Sequence, residues 1–159
     1  MKKVKILKEE CVFNNFFIID KALLSFEKFD GEMSNVVERL NFKRGDAVAS
    51  ILVNETTGRV LLVNQFRYPV YNKDGGWIRE IVAGMIDEKK ETPIDAIKRE
   101  IIEETGYDVK KIDYLTTFYS SPGGCSERIH LYISYLEEKD KIYYGGGVKS
   151  EDEDIMTEE

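Results

Sequence analysis

The stretch from 83 to 109, AGMIDEKKETPIDAIKREIIEETGYDV, admits few local structures. Gly84 reads as a turn. Thr92 stands where an N-cap belongs, Pro93 suits the first helical position, and Asp95 completes a capping-box-like pair. Ile94, Ile97 and Ile101 recur at helical spacing and make an apolar stripe. Gly106 falls where a left-handed residue would close the helix. Beside the stripe, Glu100, Glu103 and Glu104 lie within about 100° of arc. Like charges four residues apart, and acids at the negative end of the helix dipole, cost roughly a few tenths of a kcal/mol each. A helix shaped for stability alone would carry Lys or Arg there. Three acids make sense if divalent cations occupy the face, since hard oxygen ligands suit Mg²⁺ or Mn²⁺. Arg99, four residues before Glu103, is placed to neutralise and orient it. Taken alone, the E-x-x-E-E spacing is more simply a solvated charged face with one ion pair.

The neighbouring positions change that balance. Gly84, Glu91, Arg99, Glu100, Ile101, Glu103, Glu104, Gly106 and Tyr107 resemble the Nudix box, G-x5-E-x7-R-E-U-x-E-E-x-G-U, where U is aliphatic or aromatic. Six residues separate Gly84 from Glu91 where the pattern has five, and the extra one falls in 87–90, a polar turn able to absorb it. The resemblance covers most of the chain and narrows to the ADP-ribose and nucleoside-diphosphate-sugar pyrophosphatases. It rests on Gln65-Phe66-Arg67, on EIVAGM at 80–85, on Ser121-Pro122-Gly123-Gly124 with Glu127, and on GGGV at 145–148 followed by EDEDI at 151–155. The last two blocks look most like the GDP-mannose-hydrolysing group.

What the resemblance implies is specific. The fold is α+β, an α/β/α sandwich around a mixed sheet with an N-terminal antiparallel ribbon. The metal ligands are the Ala83 carbonyl, Glu100, Glu104 and Glu153, and the cofactor is Mg²⁺, with Mn²⁺ as a substitute. Glu151 is the candidate general base, and Glu103, Glu104 and Arg99 complete the catalytic group. Arg67, Glu80, Met85, Ser121, Gly123 and Glu127 face the substrate. Chemistry agrees in part: a strand-end Arg67 suits bidentate phosphate binding, and the 121–124 turn offers backbone donors. Each also has a plainer reading, as a surface arginine and an ordinary hairpin loop. The 150–159 segment reads equally as a solubilising acidic tail or as a mobile catalytic loop swung on a hinge at Gly145–Gly147.

Composition sets the outer bounds. A chain of 159 residues, 42% hydrophobic and 33% charged, suits one soluble domain with a sizeable core. No apolar run reaches the length of a membrane span and no leader pattern opens the chain, so no membrane partner is expected. Cys11 and Cys125 make no disulfide framework, which points to the reducing cytoplasm. His130 is the one histidine and reads as structural, which leaves no His-based triad or His-rich metal site. A net charge of −7 repels a nucleic-acid backbone.

In chain order, 16–29 and 36–42 read as a ribbon turning at Asp30-Gly31, and 47–53 and 60–66 as apolar strands. Residues 72–76 read as a loop, 77–83 as one short strand, and 113–120 and 128–136 as alternating strands. The ribbon, 1–45, is expected to form a homodimer interface, because it carries too many apolar side chains to stand free. Residues 46–159 form the catalytic domain. Relatives usually continue beyond the acidic segment into another strand and a helix, so the chain is either a short variant or an incomplete sandwich. The expected reaction is Mg²⁺-dependent hydrolysis of a nucleoside diphosphate sugar to a nucleoside monophosphate and a sugar phosphate. The rivals are a non-hydrolytic nucleotide-binding domain and a hydrolase of coenzyme A or dinucleoside polyphosphates.

Overall fold

The computed structural model describes residues 1–87 and 91–159. The extra box residue, expected within 87–90, lies outside the described residues. The chain divides into two compact units, 1–45 with 119–128, and 46–118 with 129–159.

The first unit is a three-stranded antiparallel sheet of β1 (Val4–Asn14), β2 (Ile18–Phe26) and β3 (Val37–Lys43), in the order β1-β2-β3. The expected ribbon is therefore one strand short. Val4, Lys5 and Ile6 read as the start of a strand and are the start of β1, but its course to Asn14 is hard to see because its pairing slips twice, between Ile6 and Lys8 and between Cys11 and Phe13. Each bulge breaks the two-residue alternation by which strands are recognised. The turn at Asp30-Gly31 is where the sequence places it, with Gly31 at φ 88°. Residues from the 119–128 segment meet the β3 edge of the sheet through an isolated bridge, Phe42 to Cys125. Phe42 N–H donates to the Gly124 carbonyl at 2.7 Å, and Ser126 N–H to the Phe42 carbonyl at 3.2 Å.

The second unit follows the order β4 (Ala47–Asn54), β5 (Val60–Phe66), α1 (Tyr71–Asp74), β6 (Trp77–Glu80), β7 (Val82–Met85), α2 (Pro93–Thr105), β8 (Lys111–Tyr119), β9 (Arg128–Leu136) and β10 (Met156–Glu158). The sheet runs β10-β5-β4-β9-β8, with β6 beside β5 and β7 beside β4. β4 and β9 are parallel, while β4 pairs antiparallel with β5 and β7, so the sheet is mixed as expected. A run such as AVASILV, apolar but for Ser50, which meets the Ser134 hydroxyl at 2.7 Å, suits a central strand covered on both faces.

Two expectations need correction. Residues 72–76 are not a plain loop, since a 3₁₀ turn at Tyr68–Val70 leads into α1, which ends on Gly75 at φ 74°. Residues 77–83 are two strands rather than one. The chain breaks at Ile81 and changes neighbour from β5 to β4. That switch sets Glu80 opposite Val63 and Ala83 opposite Ala49.

α2 forms as its caps require. Asp95 N–H donates to the Thr92 hydroxyl at 3.4 Å and Thr92 N–H to the Asp95 carboxylate at 3.3 Å, a reciprocal cap worth about 1 kcal/mol. Gly106 closes the helix at φ 78°. Ala96, Ile97 and Ile101 are fully buried against β4 and β7, in a core with Val48, Leu52, Val63, Val82, Tyr107 and Leu136. Ile155 belongs to the same core, and β10 pairs with β5 from Met156 opposite Asn64. The acidic end of the chain is thus an ordered element and not a solubilising tail.

Candidate functional site

The site is built where β7 passes under α2. Gly84 is required there by closeness: a Cβ on it would lie 1.8 Å from Glu100 Oε1. The strand backbone can reach the carboxylate only without a side chain. Ala83, half-buried, precedes it on the same strand.

Arg99 organises the acids around it. Its Nε and Nη2 donate to the two oxygens of Glu91 at 3.1 and 2.8 Å, a bidentate pair. Its Nη1 donates to Glu100 Oε1 at 2.7 Å and to Glu103 Oε2 at 3.0 Å, and its Nη2 to the Met85 carbonyl at 3.2 Å. The guanidinium is held well above its ordinary pKa, chiefly by Glu91, and the Glu91 carboxyl is held below its ordinary value by the same bond. The pairing of Arg99 with Glu103 is the one expected from their spacing. Glu91 is the larger partner.

Glu104 differs from its neighbours. It is 3% exposed, and its Oε2 has no hydrogen-bond partner among the described residues. Burial first, then the charges of Glu100 and Glu153, push its carboxyl up to about 8, with Arg67 opposing. Glu100 is also raised by burial, against the pull of Arg99. A buried acid with a bare oxygen costs free energy unless a cation or donor meets it. Carboxylate and carbonyl oxygens are the donor set for a hard divalent cation, so these residues fit one. Among the described residues no three such side chains already surround a common point. Two of these acids are already engaged: Glu100 Oε1 accepts from Arg99 Nη1 at 2.7 Å, and Glu153 Oε2 accepts from Val148 N–H at 2.8 Å.

Arg67 and Glu80 pair with each other, Nε to Oε2 at 2.8 Å. Met85 offers its carbonyl to Arg99 and leaves its side chain exposed. Glu151, also exposed, ends a 3₁₀ turn at Lys149–Glu151, and Asp152 after it takes the left-handed conformation at φ 55°.

The glycine triplet is docked and does not form the free hinge expected of it. Gly146 N–H donates to the Glu104 carbonyl and Gly147 N–H to the Glu103 carbonyl, both at 3.0 Å. A Cβ on Gly145 would lie 2.5 Å from the Glu104 carbonyl oxygen, so glycine there serves close approach. Tyr143, unremarked in the sequence, lays its hydroxyl 2.6 Å from the Ile102 carbonyl. An aromatic residue beside a glycine run was the only sequence signal, and the 41-residue separation hid its partner.

Ser121, Gly123 and Glu127 belong to the first unit. Ser121's carbonyl closes a turn by accepting from Gly124 and Cys125 N–H. Gly123 has open space where a Cβ would go, and helps line a cavity of about 440 Å³ with Arg39, Tyr119 and Cys125. Glu127 is buried and already engaged, accepting from the Ser120 hydroxyl at 2.8 Å and facing Arg44 at 3.4 Å. His130 meets the Thr117 hydroxyl through Nδ1 at 3.0 Å, in the structural role expected.

Known proteins bear on this geometry. A family model described as the NUDIX domain matches residues 43–155. The GDP-mannose pyrophosphatase of Pectobacterium atrosepticum is 32% identical over 155 residues, 96% of this chain and 79% of the relative. That of Salmonella typhimurium is 32% identical over 156 residues, 96% of this chain and 80% of the relative. The crystal structure of an ADP compounds hydrolase superposes with a TM-score of 0.71 at 19% identity, over 98% of this chain and 77% of that one. The last likeness concerns the fold, and it is the α+β fold read from the sequence. Among the described residues no helix is long and apolar enough to cross a membrane. With the family model spanning most of its length and the box residues gathered around Glu100 and Glu104, the chain belongs to the NUDIX family, as one of its pyrophosphate-cleaving hydrolases.

Proposed function

We propose that this chain hydrolyses the pyrophosphate bond of a nucleoside diphosphate sugar, of the GDP-mannose or ADP-ribose kind, with Mg²⁺ as its cation. The observation that carries the reading is Glu104, a buried carboxyl group with one oxygen unpartnered among the described residues, beside Glu100 and within reach of the Glu153 charge. The names of its relatives support the substrate class.

Glu100, Glu104, Glu153 and the Ala83 carbonyl would hold the cation. When bound, Mg²⁺ supplies charge neutralisation on the diphosphate and a lower pKa for the attacking water. Arg67 exchanges Glu80 for a phosphate oxygen, which keeps its charge compensated throughout. Glu151, exposed on its turn, accepts the proton of the attacking water. Oxygen attacks one phosphorus, the bond to the bridging oxygen breaks, and that oxygen leaves on the second phosphate. Glu103 and Arg99 keep Glu100 oriented. The first unit pairs with a second copy of the chain. In the cytoplasm, where we place the protein, its two free cysteines stay reduced.

A screen of ADP-ribose, GDP-mannose, UDP-glucose and related diphosphates with Mg²⁺ tests the proposal. The expected products are a nucleoside monophosphate and a sugar phosphate. Preference for coenzyme A, or no turnover on any sugar diphosphate, overturns it.

A further inference from the structure

The last carbonyls of a helix have no partners within it. In α2 they are met by a distant segment. The Ile102 carbonyl accepts Gly106 N–H at 2.9 Å and the Tyr143 hydroxyl at 2.6 Å. The Glu103 carbonyl accepts Gly147 N–H at 3.0 Å and, more weakly, the same hydroxyl at 3.4 Å. The Glu104 carbonyl accepts Gly146 N–H. The strap that begins at Tyr143 therefore hangs on the turn that carries Glu103 and Glu104, and it ends by burying Ile155. Between these anchors it carries Glu153, which lies against Gly147 and whose Oε2 accepts Val148 N–H at 2.8 Å.

The arrangement works against electrostatics. The negative charge of Glu153 acts on both Glu100 and Glu104. Without a cation, the site's carboxylates push apart once they are charged, and Glu153 is the member carried on a loop. The bonds from the strap to α2 oppose that separation.

We propose that Tyr143 is a positioning residue, whose hydroxyl latches the strap to the last turn of α2 and so holds Glu153 beside Glu104 before a cation arrives. The inference rests on the metal-dependent reading of the site. Its consequence is a division of effects. Loss of the latch lets Glu153 withdraw in the metal-free protein, and binding must then restore it, so cation affinity falls. The loaded site has the same ligands either way, so kcat at saturating metal is kept. Because the Ile102 carbonyl still receives Gly106 N–H, the Phe variant leaves that carbonyl with a partner.

The test compares Tyr143→Phe with Tyr144→Phe, a change at the adjacent and exposed tyrosine. Mn²⁺ binding is followed by electron paramagnetic resonance of the free ion, and the Mn²⁺-induced rise in Tm is measured beside it. For Tyr143→Phe we expect Mn²⁺ affinity lower by about fivefold, the size of one hydrogen bond. The Mg²⁺ requirement for turnover should rise in step, with kcat at saturation within about twofold. Tyr144→Phe should match the wild type in all of these. A lower metal-free Tm with unchanged Mn²⁺ affinity would make Tyr143 merely structural and overturn the latch. A fall in saturating kcat with unchanged affinity would overturn it as well. Wild-type protein that binds Mn²⁺ but cleaves no diphosphate would defeat the proposed function alone, and the affinity comparison would still decide the latch. Wild-type protein that takes up no Mn²⁺ would defeat both.

Discussion

At the scale of single residues, Glu104 is the position where charge, burial and missing partners meet. Replacing it by Gln keeps the volume and removes the charge. We expect kcat to drop by several orders of magnitude, and a loss smaller than about tenfold, or 1.4 kcal/mol of barrier, defeats the metal assignment. Calorimetry in excess chelator gives a second reading. The variant should melt no lower than the wild type, because it buries no uncompensated charge, and added Mn²⁺ should raise the wild-type Tm alone. Glu91 makes the opposite kind of contribution. Its folded pKa lies below its unfolded value of 4.5 because Arg99 is hydrogen-bonded to it. The stability it adds is thus present above about pH 4.5 and is lost as the pH falls through the folded value. Melting curves between pH 7 and pH 3 should show the wild type losing more than Glu91→Gln; parallel curves would assign that pair no role in stability. These residues were legible because they share one helix and its entry turn, where spacing in sequence is spacing in space. Glu127 was less so. Its type and motif suggest a substrate contact, while its partners in the fold, Arg44 and Ser120, cannot be inferred from the motif.

At the scale of elements, the strap from Tyr143 to Ile155 decides how its acids can be probed. Ending the chain at Val148 would remove Glu151 and Glu153, but also strip Ile155 from the core and β10 from the sheet. Such a deletion confounds catalysis with folding. Point changes separate them. Glu153→Gln should raise the Mg²⁺ concentration needed for half-maximal rate, while Glu151→Gln should lower kcat by about 10²–10⁴ with little change in metal dependence. Wild-type kinetics from both would return the segment to a structural role. The order of strands and the central helix could be read from periodicity. The partner change at Ile81, the slips in β1 and the docking of the triplet could not, because each depends on which distant strand or carbonyl is near. The triplet shows the limit well: a run of three glycines suggested a hinge, whereas Gly145 provides room for the Glu104 carbonyl.

At the scale of the whole molecule, the N-terminal sheet leaves Val4, Ile6, Phe13, Phe16 and Phe29 exposed. Its sequence to Gly45 holds more basic than acidic residues, and the remainder carries the acidic excess. Both features favour association with a second copy. Light scattering at micromolar concentration should report a dimer, and a monomer there counts against it. Low salt should strengthen the dimer if the charge contrast contributes. The first unit also has a property with consequences for synthesis. Its strands are made first, but the segment that completes its sheet, with Phe42 bonded to Gly124 and Ser126, is made some eighty residues later. On the ribosome the N-terminal strands must wait, with β3 unpaired along one edge, while β4 to β8 and α2 emerge. An isolated 1–45 peptide should therefore give the narrow amide dispersion of an unfolded chain by NMR. The protein is threaded so that its beginning is finished close to its end, and a boundary drawn at residue 45 would cut through one folding unit.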